Sequence, residues 1–477
     1  MKTELIRQLA VIYPELKPYQ LERCVTGYID VVLQELAVRL LQIGGNIAQD
    51  EFSFAADSVR KAAGRTCIQG RMIYNWSIMQ AQSSTAVLHE TYRGNSIRRR
   101  ISKFTLNPKY ESEIFMELAH GHYQLTSKYL AELAAKANFS IPVDRAALQS
   151  YITATVVELT RPHGSKYQEK LTRNLLVARR ILGQLRHLED GSSVVDEYWE
   201  EIDCGRAHGH GVSLQAVAKE VRHAALGRCC SIDFKASSYA ILASLALAID
   251  PDLKVGAIRH YITHREIIRK RIARHLETTD FDVKQIFTMM GFGAQIKDNP
   301  HTAIRRRLGK AGFDQLVATP EFAEIRQELL LVRDTILTSE MFQGTDFVIN
   351  GIAYTDLDTN TGKKRTANQK IAWIYQACER WALDIVLQNI PDEFTMLLPV
   401  HDCVYLRHQL SGPVIRDLKV LVQAVFPLLD FEQELRIPIH TEQDHTRQQQ
   451  QRADAEAVHF QHIAQEENKS REYCVYN

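Results

Sequence analysis

The chain has no C-x-x-C pair and no regular cysteine spacing; of its eight cysteines only Cys229 and Cys230 are neighbours. That favours reduced thiols, and a cytoplasmic location is expected. There is no excess of either charge: 58 Lys and Arg stand against 57 Asp and Glu. No global positive field draws nucleic acid, so any basic binding surface has to be local. The stretch from Met1 to Lys17 lacks the uninterrupted apolar core of a secretory signal, and the longest apolar run, around Ala240 to Ile249, is too short to span a bilayer. No membrane association is expected. No internal repeat occurs, and no low-complexity segment precedes the tail. What remains is 477 residues, enough for a large core and two or three subdomains.

The stretch RCCSIDFKASSYAILASLALA, Arg228 to Ala248, is central. A half-buried strand, Cys229 to Ile232, delivers Asp233 to a bend, and Ser238 to Ala248 reads as an apolar helix stopped by Asp250-Pro251. Taken alone, Asp233 reads as a helix cap. Before it, Met1 to Pro142 reads as wholly helical, with basic clusters at Arg60, Lys61 and Arg65 and at Arg98, Arg99, Arg100 and Lys103. Val143 to Leu188 gives two amphipathic helices, and a hairpin is expected over Val194 to Arg206. Gly205, Gly209 and Gly211 then permit a tight turn or close approach. His208 and His210 read as loop histidines, because no Cys or carboxylate stands beside them at a zinc-like spacing.

After the central stretch, Ile258 to His275 is a strongly basic helix. The next helix starts at Thr279 or Asp280 and places Lys284, Thr288 and Phe292 on one face. Gly291 and Gly293 within it cost about 1 kcal/mol each relative to Ala; a flat partner or a neighbouring helix would offset that. Arg305 to Leu331 is helical, and Phe347 to Tyr354 with the turn DLDTNTGK predicts a second hairpin before Arg365. Ala367 to Ile390 is a long helix with Ile371, Ile374, Cys378, Trp381 and Ile385 inward. TMLLPVHDCVYLR then makes a hairpin with Asp402 at its tip. From His440 the tail is polar and reads as an exposed helix or disorder.

Two carboxylates on separate strands and a lysine on a helix suit nucleotidyl transfer. Such carboxylates can hold two divalent ions about 3.5 to 4 Å apart, and Mg2+, a hard ion, suits oxygen donors. The lysine meets phosphate charge, and the Phe292 ring could stack beside a base pair.

The order of these motifs, from about Lys170 to Arg407, resembles the palm and fingers of family A DNA polymerases and of single-subunit phage and mitochondrial RNA polymerases. GRAHGHGVSLQAVAKEVRHAAL resembles the segment entering the catalytic strand, DFKASSYAILASLA motif A, DVKQIFTMMGFGAQ motif B and LPVHDCVYL motif C. The resemblance implies an α+β, mostly helical right-hand polymerase fold with a small antiparallel palm sheet, helical thumb and fingers and a helical N-terminal domain. It implies Asp233 and Asp402 as ligands of two Mg2+ ions and Lys284 as the triphosphate lysine. Ser238, Thr288, Phe292 and Gly293 would meet the nucleotide, and Arg206, Gln215, Gln376 and His401 the nucleic acid. The implied layout is an N-terminal domain over 1–142, thumb helices over 143–193, palm over 194–257 and 346–437, fingers over 258–345 and a tail over 438–477.

Two departures matter. Asp280 stands where motif B has a basic residue, so Arg271, Arg274 or Arg305 would have to serve, and Phe292 replaces a tyrosine. Ser238 stands where the DNA polymerases carry a bulky glutamate that excludes a 2'-hydroxyl; a small Ser leaves room for that hydroxyl. The expectation is a compact DNA-directed RNA polymerase or primer-synthesising enzyme, acting on a DNA template and nucleoside triphosphates, with a protein partner for template or promoter specificity. The alternatives are a DNA polymerase without proofreading, since 1–142 offers no acidic metal cluster, and an inactive palm that binds nucleic acid.

Overall fold

The computed structural model describes residues 1–41, 52–54, 56–81, 85–92, 102–121, 132, 135–294, 296–358 and 362–438. Arg98, Arg99 and Arg100 and the polar tail lie outside the described residues. The protein is α+β and mostly helical, with small antiparallel sheets. No described helix is long and apolar enough to cross a membrane. The chain forms two compact units: Met1–Tyr198 with His210–Gly227 and Ile437–Asn477, and Trp199–Gly209 with Arg228–Arg436.

In the first unit the expectation of a wholly helical 1–142 is corrected. Helices Lys2–Ile12 and Pro18–Leu41 do bury Leu5, Leu9, Val25, Ile29, Val32 and Leu36 at helical spacing. Strands Phe52–Phe54, Ser102–Leu106 and Leu88–Tyr92 nevertheless form a sheet, and Arg65–Ile68 pairs with Arg71–Tyr74. That hairpin turns at Gln69-Gly70, both at positive φ (48° and 76°), a less familiar signal than Asn-Gly. Trp76 joins both kinds of element, 5.3 Å from Tyr28 and edge-on to Phe104 at 5.8 Å.

Helices Arg145–Leu159 and Ser165–Gly183 follow, the second ending before Leu188. The hairpin expected over Val194 to Arg206 is also corrected. Ser193–Glu197 pairs with Phe139–Pro142 and Arg186–His187, across a turn in which Gly191 has φ 82°. Trp199–Glu201 pairs instead with Ala207–Gly209, because the chain reverses at Gly205, φ 77°. His208 is therefore on a strand.

The second unit is built on a four-stranded antiparallel sheet in the order Met396–Val400, Cys403–Leu406, Cys229–Phe234, Phe431–Arg436. Behind the central strand, helix Ser237–Ile249 is apolar nearly all round, and burial on most of its faces follows. It packs against helices Gly256–His275, Pro320–Thr338 and Ala367–Asn389. Tyr239, Tyr261 and Phe287 form a continuous aromatic column, with Tyr261 and Phe287 stacked at 4.5 Å, and the Tyr239 hydroxyl donates to the Phe287 carbonyl at 2.7 Å. This column fixes helix Asp280–Gly291 against the central helix. Thr279 caps Asp280–Gly291 by accepting from the Asp282 N–H at 3.1 Å. The helix ends at Gly291, so Gly293, at φ 91°, lies beyond it rather than inside, which corrects that expectation. A tight hairpin forms within the expected apolar stretch, Val348–Ile349 against Ile352–Ala353 around Asn350-Gly351, an Asn-Gly turn of the kind that favours hairpins. The expected closure before Arg365 is a separate antiparallel bridge between Leu357 and Lys364.

Candidate active site

Asp233 is the fifth residue of its strand and pairs in register with Cys403 on one side and Glu432 on the other. Because Asp402 immediately precedes Cys403, the register alone brings the two carboxylates to one end of the sheet. The hairpin reverses at His401, φ 53°, and the Phe234 N–H donates to the Asp402 carbonyl at 3.2 Å. Both carboxylates are half-buried. Burial first, and then the charge of Asp402, push the Asp233 carboxyl up to about 7; Glu432 adds to this, while Arg436 and Lys284 oppose it. The Asp402 carboxyl is also raised, chiefly by burial, against a hydrogen bond from Ser237 and the charges of Arg206 and Lys284. Two crowded carboxylates held away from water form a site that gains from a divalent cation.

Asp402 is anchored from below. The Ser237 hydroxyl lies 3.2 Å from Asp402 Oδ2 and 2.9 Å from the Tyr375 hydroxyl. Tyr375 donates to Glu379, which also binds Arg206. Ser237 reaches this position because Ala236 takes the left-handed conformation, φ 46°, at a cost of roughly 1–2 kcal/mol. Sequence reasoning missed Ser237, Tyr375 and Glu379. Their signal was present in the helix period: Tyr375 and Glu379 are four apart and share the buried side with Ile371 and Cys378.

Lys284 and Thr288 are exposed on one face of their helix, as the spacing predicts, and the Thr288 hydroxyl donates to the Lys284 carbonyl at 2.9 Å. The Lys284 charge is felt at both Asp233 and Asp402. Phe292 presents its ring edge-on to Tyr375 at 5.1 Å, which ties the end of this helix to the chain of groups beneath Asp402. Ser238 is buried, 7 % exposed, against Gly291. Gly293 faces Arg333 and Asn368.

The remaining expected residues are engaged within the protein. Arg206 lies over the Tyr375 ring at 5.7 Å as well as binding Glu379. Gln376 accepts from the Cys204 thiol at 3.3 Å, and His401 is exposed at the hairpin tip with its ring 5.5 Å from that of His208. Gln215 belongs to the first unit and is buried there, its N–H donating to Ser213 at 3.1 Å and its carbonyl accepting from Arg222. Of the arginines considered in place of a basic residue at Asp280, Arg271 pairs with Glu321 and Arg305 with Asp298, each at 2.9 Å, and Arg274 donates to the Lys270 carbonyl.

Among the described residues, no group of three or more His, Cys, Asp and Glu is arranged to hold a metal. Mg2+ is characteristically held by one or two carboxylates with substrate phosphates completing the shell, and Asp233 with Asp402 supplies that donor set.

No family model and no curated protein matches the chain. Among solved structures, the POL domain of Pol1 from M. smegmatis, in complex with DNA primer-template and dNTP, is similar at 11% identity and a TM-score of 0.40. The likeness covers 91% of this chain and 65% of that chain, so this chain spans less than two thirds of its length. At this identity and score the likeness carries no weight for activity, and the functional reading stands on the geometry of the second unit.

Proposed function

We propose that the chain is a template-directed nucleotidyltransferase that joins nucleoside triphosphates on a DNA template. The observation that carries this reading is the juxtaposition of Asp233 and Asp402 by strand register, with the charge of Lys284 acting on both. In the reaction a primer 3'-oxygen bonds to the α-phosphorus, the bond to pyrophosphate breaks and the 3'-hydroxyl proton leaves to solvent. Asp233 and Asp402 would hold two Mg2+ ions, which supply acidification of the attacking hydroxyl and charge neutralisation at the triphosphate. Lys284 meets the phosphate charge from the exposed helix face. Phe292, its ring edge-on to Tyr375, would border the nucleotide, and Ser237 holds Asp402.

Small Ser238 favours ribonucleotides, and the leading form of the proposal is a compact DNA-directed RNA polymerase or primer-synthesising enzyme. A second form, a DNA polymerase without proofreading, is supported by the burial of Ser238 against Gly291, since packing also demands a small residue there. Incubation with Mg2+, labelled rNTPs or dNTPs and primed or unprimed DNA tests both. Extension that Asp402→Asn abolishes is expected. Incorporation of dNTPs alone would overturn the ribonucleotide form, and metal-independent nucleic-acid binding without turnover on any template would replace the enzyme with an inactive palm.

A further inference from the structure

Beyond helix Asp280–Gly291, beside helix Pro320–Thr338, lies a cavity of about 240 Å³. Its cationic side is Lys297, Arg326 and Arg333, its apolar side includes Met290, Ile296 and Leu329, and no carboxylate lines it among the described residues. Arg333 is 8 % exposed, yet its Nε has no hydrogen-bond partner; its Nη2 donates to Asn368 Oδ1. Arg326 is held at the wall by donation to the Ile296 carbonyl at 3.2 Å. Gly293 makes room for this arrangement, because a Cβ there would lie 2.9 Å from Arg333 Nη2.

A buried guanidinium with no carboxylate hydrogen-bonded to it is costly even with the charge of Asp334 nearby, and planar guanidiniums match phosphate oxygens in pairs. A bare phosphate would leave the apolar side of the cavity uncovered, whereas a base or sugar would cover it. We propose that this cavity binds a nucleotide, its phosphate among Arg333, Arg326 and Lys297 and its nucleoside against Met290, Ile296 and Leu329. The nucleotide is either free or one residue of a strand. The site uses neither Asp233 nor Asp402 and needs no divalent ion, so it stands or falls separately from the polymerase reading.

Titration calorimetry on the full chain, in EDTA, tests it with three probes: AMP, a short single-stranded oligonucleotide and inorganic phosphate. AMP or the oligonucleotide is expected to bind more tightly than phosphate in the parent, and at least tenfold more weakly in Arg326→Ala/Lys297→Ala and in Arg333→Met than in the parent. Tighter binding of AMP identifies a free nucleotide, and tighter binding of the oligonucleotide identifies a strand. The Arg326/Lys297 variant, at the less buried side of the cavity, keeps the test valid if Arg333→Met fails to fold. AMP binding that survives the Arg326/Lys297 change, or phosphate binding as tightly as both nucleotide probes, overturns the proposal.

Discussion

Gly291 and Ser238 are in such close contact that a methyl group on Gly291 would lie 2.3 Å from Ser238 Oγ and 3.1 Å from its Cβ. Tyr239 Cε2 closes the same space at 3.3 Å. Gly291→Ala therefore overpacks a buried contact, which costs about 1–3 kcal/mol and outweighs the roughly 1 kcal/mol that Ala gains in helix propensity. Urea unfolding should show a lowered midpoint, partly restored in Gly291→Ala/Ser238→Ala, where the nearest obstructing atom is gone. A Gly291→Ala protein more stable than the parent would refute this packing.

The same contact makes Ser238 a packing residue as well as a candidate neighbour of the sugar. Ser238→Glu would force a large charged side chain into this space and lower stability together with any activity, so it reports on folding as much as on the sugar. Ser238→Ala removes only the hydroxyl. If that hydroxyl bonds a ribose 2'-oxygen, the rNTP-to-dNTP ratio of kcat/KM should fall about tenfold, the weight of one hydrogen bond of about 1.4 kcal/mol. An unchanged ratio would assign Ser238 to packing alone.

Much of the second unit was legible because its signals are local. The strand that carries Asp233, the Thr279 cap, the shared face of Lys284 and Thr288 and the His401-Asp402 turn each depend on residues within a few positions of one another. Three features were not legible for a common reason. The Tyr375–Glu379–Arg206 chain joins residues 173 positions apart, and the Gly291–Ser238 contact and the Arg333 cavity likewise exist only after the helices pack. In the first unit the small strands were missed because their alternation is short and their turn at Gln69-Gly70 carries an unusual pair of residues. The helical reading there followed the strong periodicity of Lys2–Ile12 and Pro18–Leu41 and extended it too far.

Asp233 gives the protein a specific pH dependence. Its carboxyl, pushed up to about 7 by burial and the Asp402 charge, sits above the ordinary carboxylate value of about 4 expected in the unfolded chain. The group's stabilising contribution is therefore complete below about pH 4 and is lost as pH rises through about 7. Asp233→Asn should raise metal-free stability at about pH 8 by up to about 4 kcal/mol and leave it little changed at about pH 4. Mg2+ requires the ionised form, so Mg2+ protection against unfolding should strengthen between about pH 6 and pH 8 in the parent and be weakened in the variant. Equal effects of Asp233→Asn at both pH values would dissociate this carboxyl from the site's charge balance.

The hydroxyls of Ser237 and Tyr375 supply two protons for contacts along Asp402, Ser237, Tyr375 and Glu379, where there are three. With both carboxylates ionised, one contact lacks a proton; burial raises the Asp402 carboxyl although the Ser237 hydrogen bond opposes the rise, and the metal-free chain thus favours a proton retained on a carboxyl. A divalent ion bound at Asp402 would displace it. Calorimetric titration with Mg2+ at about pH 7, repeated in buffers of different ionisation enthalpy, should detect proton release on binding. Tyr375→Phe removes one hydroxyl and one of the contacts that Glu379 makes, while Arg206 remains to satisfy that carboxylate. It should cost about 1–3 kcal/mol of stability, the usual penalty for a buried group left short of a partner, and reduce the proton release while Mg2+ still binds. If proton release is the same in Tyr375→Phe and in the parent, the buried hydroxyl chain does not govern the charge of Asp402, and Tyr375 is a packing residue only.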